Sequence, residues 1–276
     1  MMGNVVSVLS GKGGVGKSII SLNLATALAK SNYQTLLIDC NLSAPSLNLM
    51  LGKIFPEVHL NQYLKGLALE RDIVYVHPSG LKVIFNSGEE VPDKQFVLKL
   101  PVLIDSLKAY FDYMILDTSP SLAQDTQVAI SCSNFSVGVS EPTVNSLVNT
   151  LRVLKFSESN QNKVLGLILN KMGFLDPEIS IKALKEISDY KILGEIAFSN
   201  QIQKSELLKH PLVYLYRNHK LSQDFFRISQ FLLGEKYEEM LEKNNKKGHF
   251  YKNLGLIFKL KTKNESPEKR DLSRNF

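Results

Sequence analysis

Eight consecutive residues, Gly11-Lys12-Gly13-Gly14-Val15-Gly16-Lys17-Ser18, have the types and spacing needed to hold a polyphosphate. They fit the pattern G-x-x-x-x-G-K-[ST]. In such a run the glycines let backbone N–H groups close around phosphate oxygens, and the positive end of the following helix adds to the attraction. Lys17 has the reach for the terminal phosphates. The Ser18 hydroxyl is a natural ligand for Mg²⁺, and Ile19 continues the cradle into the first helical turn. The apolar stretch Val5–Leu9 precedes the run and the helical pattern Ser18–Lys30 follows it. A plain strand-to-helix turn with spare glycines needs neither a lysine nor a serine at the helix start.

Two acids have the right setting to serve the same site. Leu36-Leu37-Ile38 runs into Asp39, and Tyr113-Met114-Ile115-Leu116 runs into Asp117. An acid at the carboxyl end of a strand is a usual Mg²⁺-side ligand in phosphoryl-transfer enzymes. Asp39 opens the segment Cys40-Asn41-Leu42-Ser43-Ala44-Pro45-Ser46, which occupies the place of a water-orienting loop. Further on, Val164–Leu169 leads into Asn170-Lys171. The Asn170 amide carries a donor and an acceptor together.

These residues need a frame that brings strand ends together. Short apolar, β-branched runs alternate with helix-length segments as far as about residue 233. The predicted strands are Val5–Leu9, Thr35–Ile38, Lys82–Phe85, Tyr113–Leu116, Phe135–Val139, Val164–Leu169 and Ile192–Ile196. Helices are predicted over Ser18–Lys30, Gln95–Tyr110, Thr143–Ser157, Pro177–Ser188, Gln201–Lys209 and Arg217–Leu233. Several strands are apolar on both faces, as in a parallel sheet covered by helices on both sides. The pattern predicts a doubly wound α/β fold with a mostly parallel sheet and a site at the carboxyl ends of its strands.

Composition narrows the remaining classes. The chain has 276 residues, 44% of them apolar and 22% charged, an ordinary globular balance. Two cysteines, Cys40 and Cys132, exclude a disulfide scaffold and any four-cysteine metal site within one chain. No basic-then-apolar leader precedes Gly11, and no apolar run reaches the ~18 residues of a spanning helix, so a cytoplasmic protein is expected. The net charge is +6, and residues 236–276 hold 11 Lys+Arg against 6 Asp+Glu, leaving +1 for residues 1–235. A phosphate-loop domain over 1–235 followed by a basic tail over 236–276 is therefore expected, the tail having an anionic partner.

Within the tail, Lys246–Lys263 has six lysines and no acid. On a helix, Phe250, Tyr251, Leu254, Ile257 and Phe258 share one face, with Lys252, Lys259 and Lys263 opposite. That is the pattern of a helix lying on an anionic membrane surface, which would place the protein peripherally at the inner face of the cell membrane. A strand or an arm packed on the body stands as the alternative, because Leu254, Leu256, Phe258 and Leu260 also alternate. The apolar interleaving favours lipid over DNA phosphates, and specific nucleic-acid binding is not expected.

The loop with its second lysine, Lys12, resembles the deviant Walker ATPases of the ParA/MinD group, and the segment Asp39–Gly52 is most similar to that of the archaeal MinD-like members. The resemblance covers roughly residues 3–235. It implies a P-loop fold, ATP and Mg²⁺ as cofactors, and an ATP-bound homodimer in which Lys12 reaches the partner's phosphates. It also implies slow or partner-stimulated hydrolysis, an activating protein, and a spatial switch that positions a cellular component. By the same resemblance Asp39-Cys40-Asn41 is a switch I, Asp117-Thr118-Ser119-Pro120 is a switch II with Asp117 beside Mg²⁺, and Asn170 reads the adenine. The family's second switch I aspartate is here Asn41, which can position water but not act as a base. A turn-forming asparagine without a catalytic part is an equal reading. Ala197 replaces a usual proline in Ile192–Ala197. Three other functions remain open: an iron–sulfur carrier of the Mrp kind, a non-hydrolysing nucleotide-gated scaffold, and a DNA-partitioning ParA. The missing C-x-x-C counts against the carrier.

Overall fold

In the computed structural model the described residues are 3–88, 97–174 and 179–233. The basic tail, with its amphipathic stretch 246–263, lies outside them. The elements run β1 (Asn4–Leu9), α1 (Lys17–Lys30), β2 (Thr35–Asp39), α2 (Leu47–Met50), α3 (Leu60–Lys65), a 3-10 turn (Glu70–Asp72), β3 (Val74–Val76), β4 (Lys82–Ile84) and α4 (Leu100–Leu107). They continue with β5 (Tyr113–Asp117), α5 (Gln124–Ser131), β6 (Phe135–Ser140), α6 (Val144–Ser159), β7 (Lys163–Met172), α7 (Ile181–Ile187), β8 (Ile192–Ala197), α8 (Asn200–Leu207), α9 (Leu212–Leu215) and α10 (Lys220–Leu232).

All seven predicted strands are present in one eight-stranded sheet of order β3-β4-β2-β5-β1-β6-β7-β8. Only the β3–β4 pair is antiparallel. Every residue of β2 and of β5 is buried, which is why these central strands read as unbroken apolar runs. β3 is the strand that the sequence did not suggest: two half-buried residues and an exposed Val76 on an edge leave little apolar signal.

Helix α1 is buried from Ile20 to Leu28 without interruption. It packs between the sheet and α9 and α10, so it carries no polar face. Thr143 caps α6 by accepting from Ser146 N, and Ser199 caps α8 by accepting from Gln201 N. The predicted helices are present with shifted ends, as at Thr143–Ser157, found over Val144–Ser159, and residues 95–96 and 177–178 of two of them lie outside the described residues.

The strand order matters for the site. The chain leaves β1 through α1 and returns at β2, two places away, with β5 inserted between them. It leaves β5 through α5 and returns on the other side of β1, at β6. The connections diverge above β1 and β5, and such a point opens a crevice at the carboxyl ends of a parallel sheet.

Candidate nucleotide site

The sheet register carries the separate sequence signals to one place. Val8 of β1 and Asp39 of β2 both pair with Asp117 of β5. The 10–17 loop, the two acids, Glu141 after β6 and Asn170 at the end of β7 thus line one edge of the sheet.

The loop is held from several sides. Gly11 N donates to Thr150 Oγ1 of α6 at 3.1 Å, and a Cβ at Gly11 would meet the Asn149 backbone at 2.1 Å. Gly16 begins α1 at φ +84°, where a side chain is strained. A Cβ there would also lie 2.2 Å from Asn170 Nδ2. Asn170 Nδ2 donates to Val15 O at 2.8 Å, and Lys171 Nζ donates to Gly14 O at 2.6 Å. Asn170, expected at a base edge, is thus also a support of the loop. Gly13, Gly14 and Lys12 are exposed.

Beneath the loop lies a buried ionic cluster. Lys17 Nζ donates to Asp117 Oδ1 at 2.7 Å, with side-chain exposures of 7% and 0%. Ser21 Oγ, one turn along α1, donates to the same oxygen at 2.9 Å. Asp117 Oδ2 is buried with no hydrogen-bond partner among the described residues. Asp39 accepts Asn41 N on Oδ1 at 3.2 Å, and Ser46 N and Leu47 N on Oδ2, both at 3.1 Å. Burial and then the charge of Asp117 push the Asp39 carboxyl up to about 7, although those backbone bonds and Lys17 oppose the shift.

These features fit a divalent cation. Two buried carboxylates face one ammonium, one carboxylate oxygen is unpaired, and the half-buried Ser18 stands next to Lys17 at the start of α1. Hard oxygen donors of this kind suit Mg²⁺. Among the described residues no group of three or more His, Cys, Asp or Glu side chains could hold a metal, so the site would draw on two carboxylates and the Ser18 hydroxyl. Cys40 and Cys132 are both buried, and burial raises both thiols, Cys132 to about 11.

Lys12 is half exposed, at 55%, and its Nζ lies 3.9 Å from Glu141 Oε2. Glu141 Oε1 pairs more closely with Lys171, at 2.7 Å. Asn41 is bound into its own turn: Nδ2 donates to Ala44 O at 2.6 Å and Oδ1 accepts Ala44 N at 3.2 Å. Its Oδ1 also lies 2.8 Å from Ser119 Oγ. Ser21, Thr150, Glu141 and Asp125 were not among the residues that sequence reasoning singled out, and Ser119 entered only as a member of the 117–120 segment. Their contacts join segments far apart in the chain, and no local pattern announces them.

The family model described as ParA, NUBPL iron-transfer P-loop NTPase, matches residues 1–233. The chain is similar to an uncharacterized ATP-binding protein of Methanocaldococcus jannaschii, 30% identical over 246 residues, covering 88% of this chain and 92% of that protein. It is similar to the septum site-determining protein MinD of Helicobacter pylori, 28% identical over 266 residues, covering 90% and 97% respectively. Among solved structures it is similar to the septum site-determining protein MinD complexed with Mg-ADP from Pyrococcus horikoshii. That likeness has a TM-score of 0.78 and 26% identity, over 86% of this chain and 99% of that one.

Proposed function

Because this chain belongs to the ParA family of P-loop NTPases, we propose that it is an ATP-hydrolysing switch of the MinD/ParA type that dimerises on ATP and positions a cellular component. The observation that carries this reading is the pairing of the phosphate loop with two lysines of different character. Lys17 is buried and bonded to Asp117. Lys12 is half exposed, on an exposed part of the loop, with its Nζ 3.9 Å from Glu141 Oε2. The first serves phosphates bound in its own subunit. The second is free to reach those bound in another copy.

Ser18, Asp39 and Asp117 would hold Mg²⁺, which supplies charge neutralisation on the phosphates when bound. The backbone N–H groups of residues 13–18 and the start of α1 orient the nucleotide. As phosphate enters, Lys17 exchanges its bond to Asp117 for phosphate oxygens. Asn41 orients the attacking water through a neutral amide, so turnover is slow without a partner. The iron–sulfur carrier reading lacks support at the cysteines, since both are buried and, among the described residues, neither stands in a group of metal-ligating side chains.

No helix among the described residues is long and apolar enough to cross a membrane. The basic tail is proposed to give the switch its surface address, through anionic lipid. The test measures molecular size of the full chain and of Lys12→Ala with ADP, ATP and a non-hydrolysable analogue, together with ATP turnover with and without anionic vesicles. A dimer with ATP or the analogue, lost in Lys12→Ala, is expected, with vesicle binding lost on deleting residues 246–276. A monomer under all three nucleotides would refute the switch.

A further inference from the structure

The turn after β2 and the turn after β5 are joined through a single hydroxyl. Ser119 Oγ lies 2.8 Å from Asn41 Oδ1 and in close contact with Asp125 Oδ2. Asp125 Oδ2 also accepts Leu42 N at 3.1 Å, and its Oδ1 accepts Thr126 N at 2.8 Å. Asn86 Nδ2 binds the carbonyls of Asn41 and Leu42, both at 3.3 Å. Ser119, Asp125, Asn41 and Asn86 are all buried.

The proton count does not close. A serine hydroxyl has one hydrogen to give, whereas an ionised carboxylate and an amide oxygen only accept. Turning the Asn41 amide over does not help. It would set the NH₂ group against Ala44 N and the oxygen against Ala44 O, losing two bonds that are now well made. Ser119 therefore satisfies Asp125 or Asn41, not both. A bond to an ionised acceptor is roughly twice as strong as a neutral one. In the arrangement seen here the hydrogen belongs to Asp125, and Asn41 Oδ1 faces an oxygen with nothing to offer it.

We propose that Ser119 is a positioning residue whose one hydroxyl hydrogen passes from Asp125 to Asn41 when nucleotide occupies the site, fixing the Asn41 turn for catalysis. The link to nucleotide is short: Ser119 is two residues after Asp117, whose bond to Lys17 must change when phosphate arrives. No covalent step is involved, only a rotation of the hydroxyl and a small shift of the turn. This inference rests on the ATPase reading above. It adds that the 40–47 loop senses the site through Ser119.

Two measurements test it. In the wild-type protein, amide hydrogen exchange at Ala44 is compared without nucleotide and with a non-hydrolysable ATP analogue plus Mg²⁺. Exchange at least about five-fold slower with the analogue is expected, as the Asn41 turn gains its anchor. In steady-state kinetics, Ser119→Ala should lower kcat at least about ten-fold with KM changed less than two-fold, and Ser119→Thr, which keeps the hydroxyl, should recover most of kcat. Unchanged Ala44 exchange in protein that binds the analogue overturns the proposal and leaves the ATPase reading intact. A kcat loss in Ser119→Ala matched by an equal rise in KM and not recovered by threonine also overturns it. Wild-type protein that binds no ATP analogue overturns both.

Discussion

Removing the Lys17 ammonium by Lys17→Ala should expose what holds the buried ionic cluster together. Lys17 Nζ and Asp117 Oδ1 are 2.7 Å apart, with the lysine 7% and the aspartate 0% exposed. At an effective dielectric constant of about 20 the attraction at that distance is roughly 6 kcal/mol, largely offset by desolvation of both groups. The net worth of the pair is therefore small, but breaking it strands a buried charge. That costs about 3–5 kcal/mol. Ser21 continues to donate to Asp117, which favours the lower end of this range. Asp39, already pushed up to about 7 with Lys17 opposing the shift, loses that opposition. The variant then holds two buried carboxylates without a cation, and its folded state takes up protons that the unfolded chain does not. Stability of Lys17→Ala relative to wild type should thus be least impaired near pH 5 and fall as pH rises toward 8. Urea midpoints at pH 5.5 and 8.0, with Lys17→Ala/Asp117→Asn as the control, give the numbers. The control should recover at least half of the loss. A Lys17→Ala cost under about 1 kcal/mol, or one independent of pH, would refute the buried-pair account.

Gly16→Ala imposes a left-handed φ on alanine and drives its Cβ to 2.2 Å from Asn170 Nδ2. A loss of about 2–3 kcal/mol is expected from strain and the broken Asn170–Val15 bond. Adding Asn170→Ala should relieve part of it, and strictly additive costs would show that the two side chains do not meet. His77 Nε2 lies 2.9 Å from His210 Nδ1, and His77 Nδ1 lies 2.8 Å from Ser79 Oγ. Burial first, then the charges of His210 and Lys30, lower His77 from 6.5 to about 4. Between those values the unfolded chain binds the extra proton, so wild-type stability falls as pH drops from about 6.5 to 4. His77→Gln should flatten that part of the stability curve, and parallel curves for the two proteins would count against a buried neutral His77.

The strands carrying the site were readable because they are buried on both faces. β2 and β5 are continuous apolar runs that end in Asp39 and Asp117, and the phosphate loop has a fixed spacing that few other functions need. What a linear reading lacks is adjacency. Asp117 meets Ser21 across 96 residues of chain, and Val15 meets Asn170 across 155, so neither contact leaves a periodic trace. Short elements were lost for another reason. β3 and α2 have three and four residues, too few to show a period, and their positions follow from tertiary packing. Asn41 shows the limit most clearly. Its type indicated either a water-positioning amide or a turn residue. The structure has it closing a turn on Ala44 and also facing the turn after β5 through Ser119, so the two descriptions are not exclusive.

The ionic cluster is also where folding and function pull apart. A core selected for stability alone would not align two carboxylates across β2 and β5, leave Asp117 Oδ2 unpaired, and drive Asp39 up to about 7. Each of these raises the free energy of the nucleotide-free state. The surrounding frame tolerates it because β1, β2 and β5 are fully packed and Asp39 is tied down by three backbone amides. A divalent cation held there would supply positive charge beside Asp39 and Asp117, leaving Lys17 to turn to phosphate. That relief would reach the 40–47 loop, because Asp39 accepts the backbone N–H groups of Asn41, Ser46 and Leu47. The strain at Asp39 and Asp117 is thus the physical link by which occupancy of the phosphate site would change the surface that a second subunit meets.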